Sequence, residues 1–184
     1  MALRRIVGFV LCVSVMSVTP GVSADRVSLD GKEVSGAPGG VAAGGVESAD
    51  AEPRISGALP RRTDGVLRQA FPVAQQRVRD LPECQGLFAA LGADALEKLT
   101  SSIYYPTTAQ MESRVCQRGV SAFTYVGSPQ TRLCRRFAAL GTDKAAVALI
   151  HEALHGAGLS EKPLDKDGLE PSDIDRMVRK ACNL

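Results

Sequence analysis

The sequence predicts a small α+β domain, and three observations carry that prediction. Two stretches with apolar residues at helical spacing come first. A run of short β-rich stretches broken by glycine and proline follows, and two further helical patterns close the chain. A length of 184 residues suits one domain of ordinary size.

The beginning of the chain reads differently from the rest. Arg4 and Arg5 precede an apolar run over residues 6–18, then Pro20, Gly21 and the small-residue ending Val22-Ser23-Ala24. That order predicts a secretory signal peptide over 1–24, cleaved after Ala24. The apolar run is shorter than the roughly 20 residues that a spanning helix needs, and Leu11 stands before Cys12 where a lipid-attached cysteine calls for a small residue. The expectation is a secreted or periplasmic protein with no membrane association after cleavage. Residues 25–62 are rich in Gly, Ala, Pro, Ser and acids and poor in large apolar side chains. Such a segment buries too little surface to offset its ordering entropy, so it is expected to be a disordered linker or propeptide, with Arg61-Arg62 a candidate processing site. The folded domain is then expected over 63–184. Removing residues 1–24 turns 22 basic and 20 acidic residues into 20 of each, which implies no basic surface for nucleic acid.

Within that domain, Leu67, Ala70, Val73, Ala74 and Val78 recur at helical spacing, with Pro72 expected as a kink or as the first turn of a shorter helix. Leu87, Phe88, Leu91, Leu96 and Leu99 predict a second helix over 85–100, broken at Gly92. From 103 to 137, stretches rich in Tyr, Thr, Val and Phe predict short strands forming a mostly antiparallel sheet. In it, 122–126 and 131–137 make a hairpin across Gly127-Ser128-Pro129. Thr142 as N-cap, Asp143 in the first turn and Gly156 or Gly158 as terminator bound a further helix, whose stripe Val147, Ile150, Leu154 faces the core. Ser172 caps a last helix carrying Ile174, Met177, Val178 and Ala181. Cys84, Cys116, Cys134 and Cys182 are expected in two disulfides that support a core low in aromatics. Their pairing stays open among three possibilities, and the lack of a C-x-x-C pair argues against a zinc finger.

The two histidines of the chain, His151 and His155, stand four apart, so on a helix their imidazoles project from one face and hold one metal ion between them. Glu152, beside the first, reaches the place of a water bound there. His151-Glu152-Ala153-Leu154-His155, flanked by the uncharged Ala148, Leu149, Gly156 and Ala157, resembles the signature of the zincin metallopeptidases. The resemblance covers about residues 142–161. It implies a zincin-like domain that binds one Zn2+ through His151 and His155, uses Glu152 as general base and hydrolyses polypeptide substrates. It also implies an edge strand above the active helix that pairs with extended substrate, for which 131–137 is the candidate. Gly158 and Glu161 fall where the metzincin branch has a turn glycine and a third histidine, so Glu161 is the first candidate for the third ligand. Glu170 matches the later glutamate of the gluzincin branch less well, and Asp165, Asp167 and Asp173 are further candidates. Two imidazoles with a carboxylate favour zinc among available ions. Tyr104, Tyr105 and Tyr125 are candidate hydrogen-bond donors, none of them assigned. Two other classes compete with an enzyme: a catalytically silent metal-binding module, and a secreted disulfide-stabilised binding domain whose histidines are mere surface residues.

Overall fold

A computed structural model describes residues 51–117 and 119–184. The expected signal peptide and residues 25–50 of the expected linker lie outside the described residues. Residues 54–62 are part of the fold. Arg54–Ile55 form strand β1, and Arg61-Arg62 open helix α1 (Arg61–Asp80). Pro72 lies inside α1 without ending it, on the exposed side, while Thr63, Leu67, Ala70, Phe71, Ala74, Gln75 and Val78 form a continuous buried stripe. A proline in a helix interior costs about 3 kcal/mol. Burying side chains of this size contributes roughly 1.5–3 kcal/mol for each large one, so packing outweighs the break.

Helix α2 (Pro82–Ala89) and helix α3 (Ala95–Ser101) fall on either side of the expected break. Gly92 takes φ +71°, where a side chain is disfavoured, and Asp94 then caps α3 by accepting the Glu97 N–H at 2.7 Å. Strand β2 (Ile103–Pro106), the short helix α4 (Ala109–Arg114), strands β3 (Ala122–Thr124) and β4 (Gln130–Leu133) and a 3-10 turn (Arg135–Ala139) follow.

The sheet has the order β1-β2-β4-β3. The hairpin is present, with Phe123 opposite Arg132. The sheet as a whole is mixed rather than mostly antiparallel, because β1 pairs parallel with β2 and β2 parallel with β4. Parallel neighbours need crossovers, and these are supplied by α1–α3 between β1 and β2 and by α4 with β3 between β2 and β4. One consequence corrects the expected substrate edge. Strand β4 is interior and ends at Leu133, with Phe137 already in the 3-10 turn, so the edge strand is β3.

Helix α5 (Thr142–Gly156) starts at the expected place, with Gly141 as its N-cap and Thr142 inside the first turn. It packs on α1, α3, β3 and the closing helix α6 (Pro171–Cys182). Such a setting requires an almost uniformly apolar helix, and Ala145, Ala146, Val147, Leu149, Ile150, Ala153 and Leu154 meet the requirement. Cys84 is bonded to Cys182, tying α2 to the end of α6, and Cys116 to Cys134, tying the segment after α4 to the end of β4. Among the described residues no helix is long and apolar enough to cross a membrane.

Candidate metal centre

The exception to the apolar surface of α5 is one turn near its C-terminal end, where His151, Glu152 and His155 are all buried. The i, i+4 spacing brings the two Nε2 atoms to 3.0 Å. Past the helix, Ala157 caps it and Gly158 turns the chain with φ +109°, so that Ser160 and Glu161 come back beside the histidines. Glu161 Oε2 lies 3.2 Å from His151 Nε2 and 3.4 Å from His155 Nε2.

These three atoms form a nearly equilateral triangle. A point equidistant from them is about 1.9 Å from each, close to the roughly 2.0–2.2 Å of zinc–nitrogen and zinc–oxygen bonds, so the three atoms would fit around one ion. The remaining ring nitrogens have acceptor partners. His151 Nδ1 is 2.8 Å from Asp175 Oδ1 on α6, and His155 Nδ1 is 2.7 Å from the Leu159 carbonyl. A carbonyl or carboxylate oxygen accepts only, so Nδ1–H donates in each case and both Nε2 lone pairs of the neutral rings point at the centre. Three protein donors would leave a tetrahedral ion one further coordination position.

Burial alone lowers the tendency of His151 to take a proton. The Asp175 and Glu161 hydrogen bonds and the nearby charge of Glu152 overcome it and push the pKa up to about 10. His155 moves upward for a similar balance, burial opposed by Glu161, the Leu159 carbonyl and Glu152. Glu161 is opposed by its own partial burial, yet the two histidines hold it down at about 2. Burial raises Glu152, only partly offset by His151, His155 and the Thr124 hydroxyl, and its Oε2 is buried without a hydrogen-bond partner. A buried carboxylate oxygen left unpaired costs about 1–3 kcal/mol or more. A cation and its water beside the triangle would compensate that cost.

Of the other candidate acids Asp165 lines a cleft beside His155 and Glu161, and none of them joins the triangle. Glu170 is the N-cap residue of α6 and pairs with Lys162 at 3.2 Å, Asp173 pairs with Arg176, and Asp165 accepts the Asp167 backbone N–H at 3.0 Å. Tyr104 is a core residue, its ring edge-on to Phe71, and Tyr105 lies under Arg132. Tyr125 alone of the three borders the centre, 63% exposed beside His155 and Glu161. Met177 packs against the core as its helical spacing implies. Asp175 is the contributor that no motif marked, although any metal-binding histidine needs such a partner and the closing helix offers two acids, Asp173 and Asp175, in its first two turns. A second grouping of potential ligands, Glu112 with Cys116 and Cys134, is otherwise engaged. Its cysteines are bonded to each other, and Glu112 accepts from the Arg135 backbone N–H and the Thr107 hydroxyl.

Two clefts meet at the centre. One, of about 480 Å³, runs back along α5 from His151 and Glu152 to Lys144, walled by residues 119–122, Arg136 and Arg179. The other, of about 230 Å³, is bounded by Thr124, Tyr125, Val126, His155, Glu161, Leu164 and Asp165. Compared with known protein families, curated proteins and solved structures, the chain finds no match in any of the three.

Proposed function

We propose that this chain is an exported zinc-dependent metallopeptidase. The observation that carries the reading is the triangle of His151 Nε2, His155 Nε2 and Glu161 Oε2 with the buried Glu152 carboxylate, its Oε2 without a hydrogen-bond partner, next to it. The two disulfides fit an oxidising compartment, in keeping with the signal-like start of the sequence.

His151, His155 and Glu161 would hold zinc, which when bound supplies Lewis acidity toward water and toward a peptide carbonyl. Asp175 and the Leu159 carbonyl fix the two imidazoles so that their Nε2 atoms keep that orientation. Glu152 takes the proton of the attacking water and delivers it to the leaving amine. Its raised pKa brings it nearer to neutrality, where a general base also serves as acid in the next step. Among the described residues the outer edge of β3 carries no strand, so an extended peptide has backbone donors and acceptors with which to pair beside the centre.

Elemental analysis of purified protein tests the site, with about one zinc per chain expected in wild type and loss in His155→Ala and Glu161→Ala. Glu152→Gln is expected to keep the metal and lose at least a hundredfold of peptide hydrolysis. Metal without turnover in wild type would leave a silent binding module, and no metal after zinc is supplied would end the metallopeptidase reading.

A further inference from the structure

The two clefts differ in chemistry, and β3 with its flanks forms a wall of both. Residues 119–122 border the larger cleft and residues 124–126 the smaller, so a strand laid along this edge passes from one to the other across the metal centre. In the larger cleft the acids, Glu152, Glu161 and Asp175, gather at the metal end. The far end carries Arg136, Lys144 and Arg179, all exposed, and among the described residues none of the three makes an ion pair.

Their convergence follows from helical spacing. Lys144, Val147, Ala148 and His151 lie at i, i+3, i+4 and i+7 on α5, and Asp175 and Arg179 at i and i+4 on α6, so one face of each helix lines the same groove, with Lys144 and Arg179 at its far end. Seven residues of helix separate Lys144 from His151 by about 10 Å. That is the span of about three residues of extended peptide. Beside Asp165, the smaller cleft is bordered by the apolar side chains of Tyr125, Val126 and Leu164, which are 63%, 53% and 88% exposed.

We infer that the site takes peptides that carry a carboxylate about three residues from the bond cleaved, bound by Arg136, Lys144 and Arg179, with a large apolar side chain on the opposite side of that bond. The inference rests on the peptidase reading for its substrate class and on the two clefts for its specificity. The carboxylate belongs either to an Asp or Glu side chain or to the end of the peptide, since the same three cations suit both.

The test uses zinc-loaded full chain and a set of labelled peptides with Leu at the centre, identical except for Glu, Gln or Lys three positions away, each with a free or an amidated C-terminus. Affinity for the Glu152→Gln variant is read by fluorescence anisotropy, and cleavage by wild type is read by mass spectrometry. The Glu peptide is expected to bind about tenfold more tightly than the Gln peptide, a factor typical of one charge-assisted contact. In Arg136→Ala/Lys144→Ala/Arg179→Ala the ratio should fall to about one, and in Lys144→Glu/Arg179→Glu the preference should turn to the Lys peptide. Selectivity kept in the amidated set assigns the contact to the side chain, and selectivity that follows only the free terminus assigns it to the terminal carboxylate. Equal binding of the Glu and Gln peptides together with equal binding of free and amidated termini overturns the inference even if all are cleaved, which would leave the peptidase reading standing. Acid-selective binding without cleavage by wild type supports the inferred recognition and sinks the peptidase reading.

Discussion

Asp175 decides how well His151 serves as a ligand, because it alone holds the ring nitrogen that faces away from the centre. Its side chain is about half exposed, so its removal disturbs little packing. Asp175→Ala is expected to weaken zinc binding about 10–100-fold, measured by competition with a chromophoric chelator. Asp173→Ala, two residues earlier and paired only with the surface Arg176, should leave the affinity unchanged. Equal losses in both variants would show that α6 contributes general stability rather than a histidine partner. The same contacts set a pH dependence whose sign follows from the directions of the shifts. His151, raised from 6.5 to about 10, contributes stability that is full below pH 6.5 and lost as pH rises through about 10. Glu152 and His155, also raised, act in the same direction. Glu161, lowered from 4.5 to about 2, contributes above pH 4.5 and loses its contribution as pH falls through about 2. Metal-free protein should therefore melt at its highest temperature in mildly acidic solution and at lower temperatures toward pH 10. Zinc affinity should run the other way, rising by up to about tenfold per pH unit from 6 to 9 as the metal displaces the His151 proton. A calorimetric titration in buffers of different ionisation enthalpy would register about one proton released per zinc, and a pH-independent affinity would refute the assignment.

At the scale of elements, the loop between α5 and α6 has one close approach that fixes its shape. Leu169 N–H donates to the Ser160 carbonyl and Lys162 N–H to the Leu169 carbonyl, which folds residues 160–169 back on themselves. A Cβ at Gly168 would stand 2.8 Å from the backbone N, Cα and C of Glu161, closer than such contacts permit. Gly168→Ala must therefore displace Glu161, and a loss of about tenfold or more in zinc affinity is expected, with metal-free melting changed far less because the loop is peripheral to the core. Unchanged affinity would mean that Glu161 follows its backbone freely or is no ligand. Elements also show where the sequence was readable. The triad of His151, Glu152 and His155 was legible because a four-residue spacing on one helix is a local property, and Glu161 because its spacing from His155 resembles that of the third metzincin ligand. The break at Gly92, both outer helices and the β3–β4 hairpin were legible for the same local reason. Helix α4 escaped because it buries no residue and so has no apolar period. Strand β1 escaped because two residues make no pattern. The parallel pairings escaped because their partners are brought together by packing of α1–α3 that no local stretch encodes. Asp175 and the cationic cleft belong to that same non-local class, each needing α6 to be laid beside α5.

For the molecule as a whole, the two disulfides divide the tasks of stability and shape. Cys84–Cys182 closes a span of 98 residues and joins two helices at the core, whereas Cys116–Cys134 closes 18 residues next to the wall of the larger cleft. Loop-closure entropy in the unfolded chain grows with the logarithm of the span, which makes the first worth about 4–5 kcal/mol and the second about 3 kcal/mol. For a domain of this size Cys84→Ser/Cys182→Ser should lower the melting temperature by about 15–20 °C, and Cys116→Ser/Cys134→Ser by about 10 °C. Their effects on the site should rank in the opposite order. Asp175 lies near the start of α6 and is held there by Ile174 and Val178, both fully buried, so losing the bond at Cys182 should change zinc affinity by no more than a few-fold while the protein stays folded. Losing Cys116–Cys134 frees residues 119–121, which border the cleft, and should erode discrimination among peptides before it erodes metal binding. Differential scanning calorimetry of both double variants, followed by zinc competition at a temperature where each is folded, separates these effects. If the long-span variant loses zinc in proportion to its stability, then the metal centre is not preorganised by local packing of α5 and α6, and the disulfide itself is what keeps Asp175 in place.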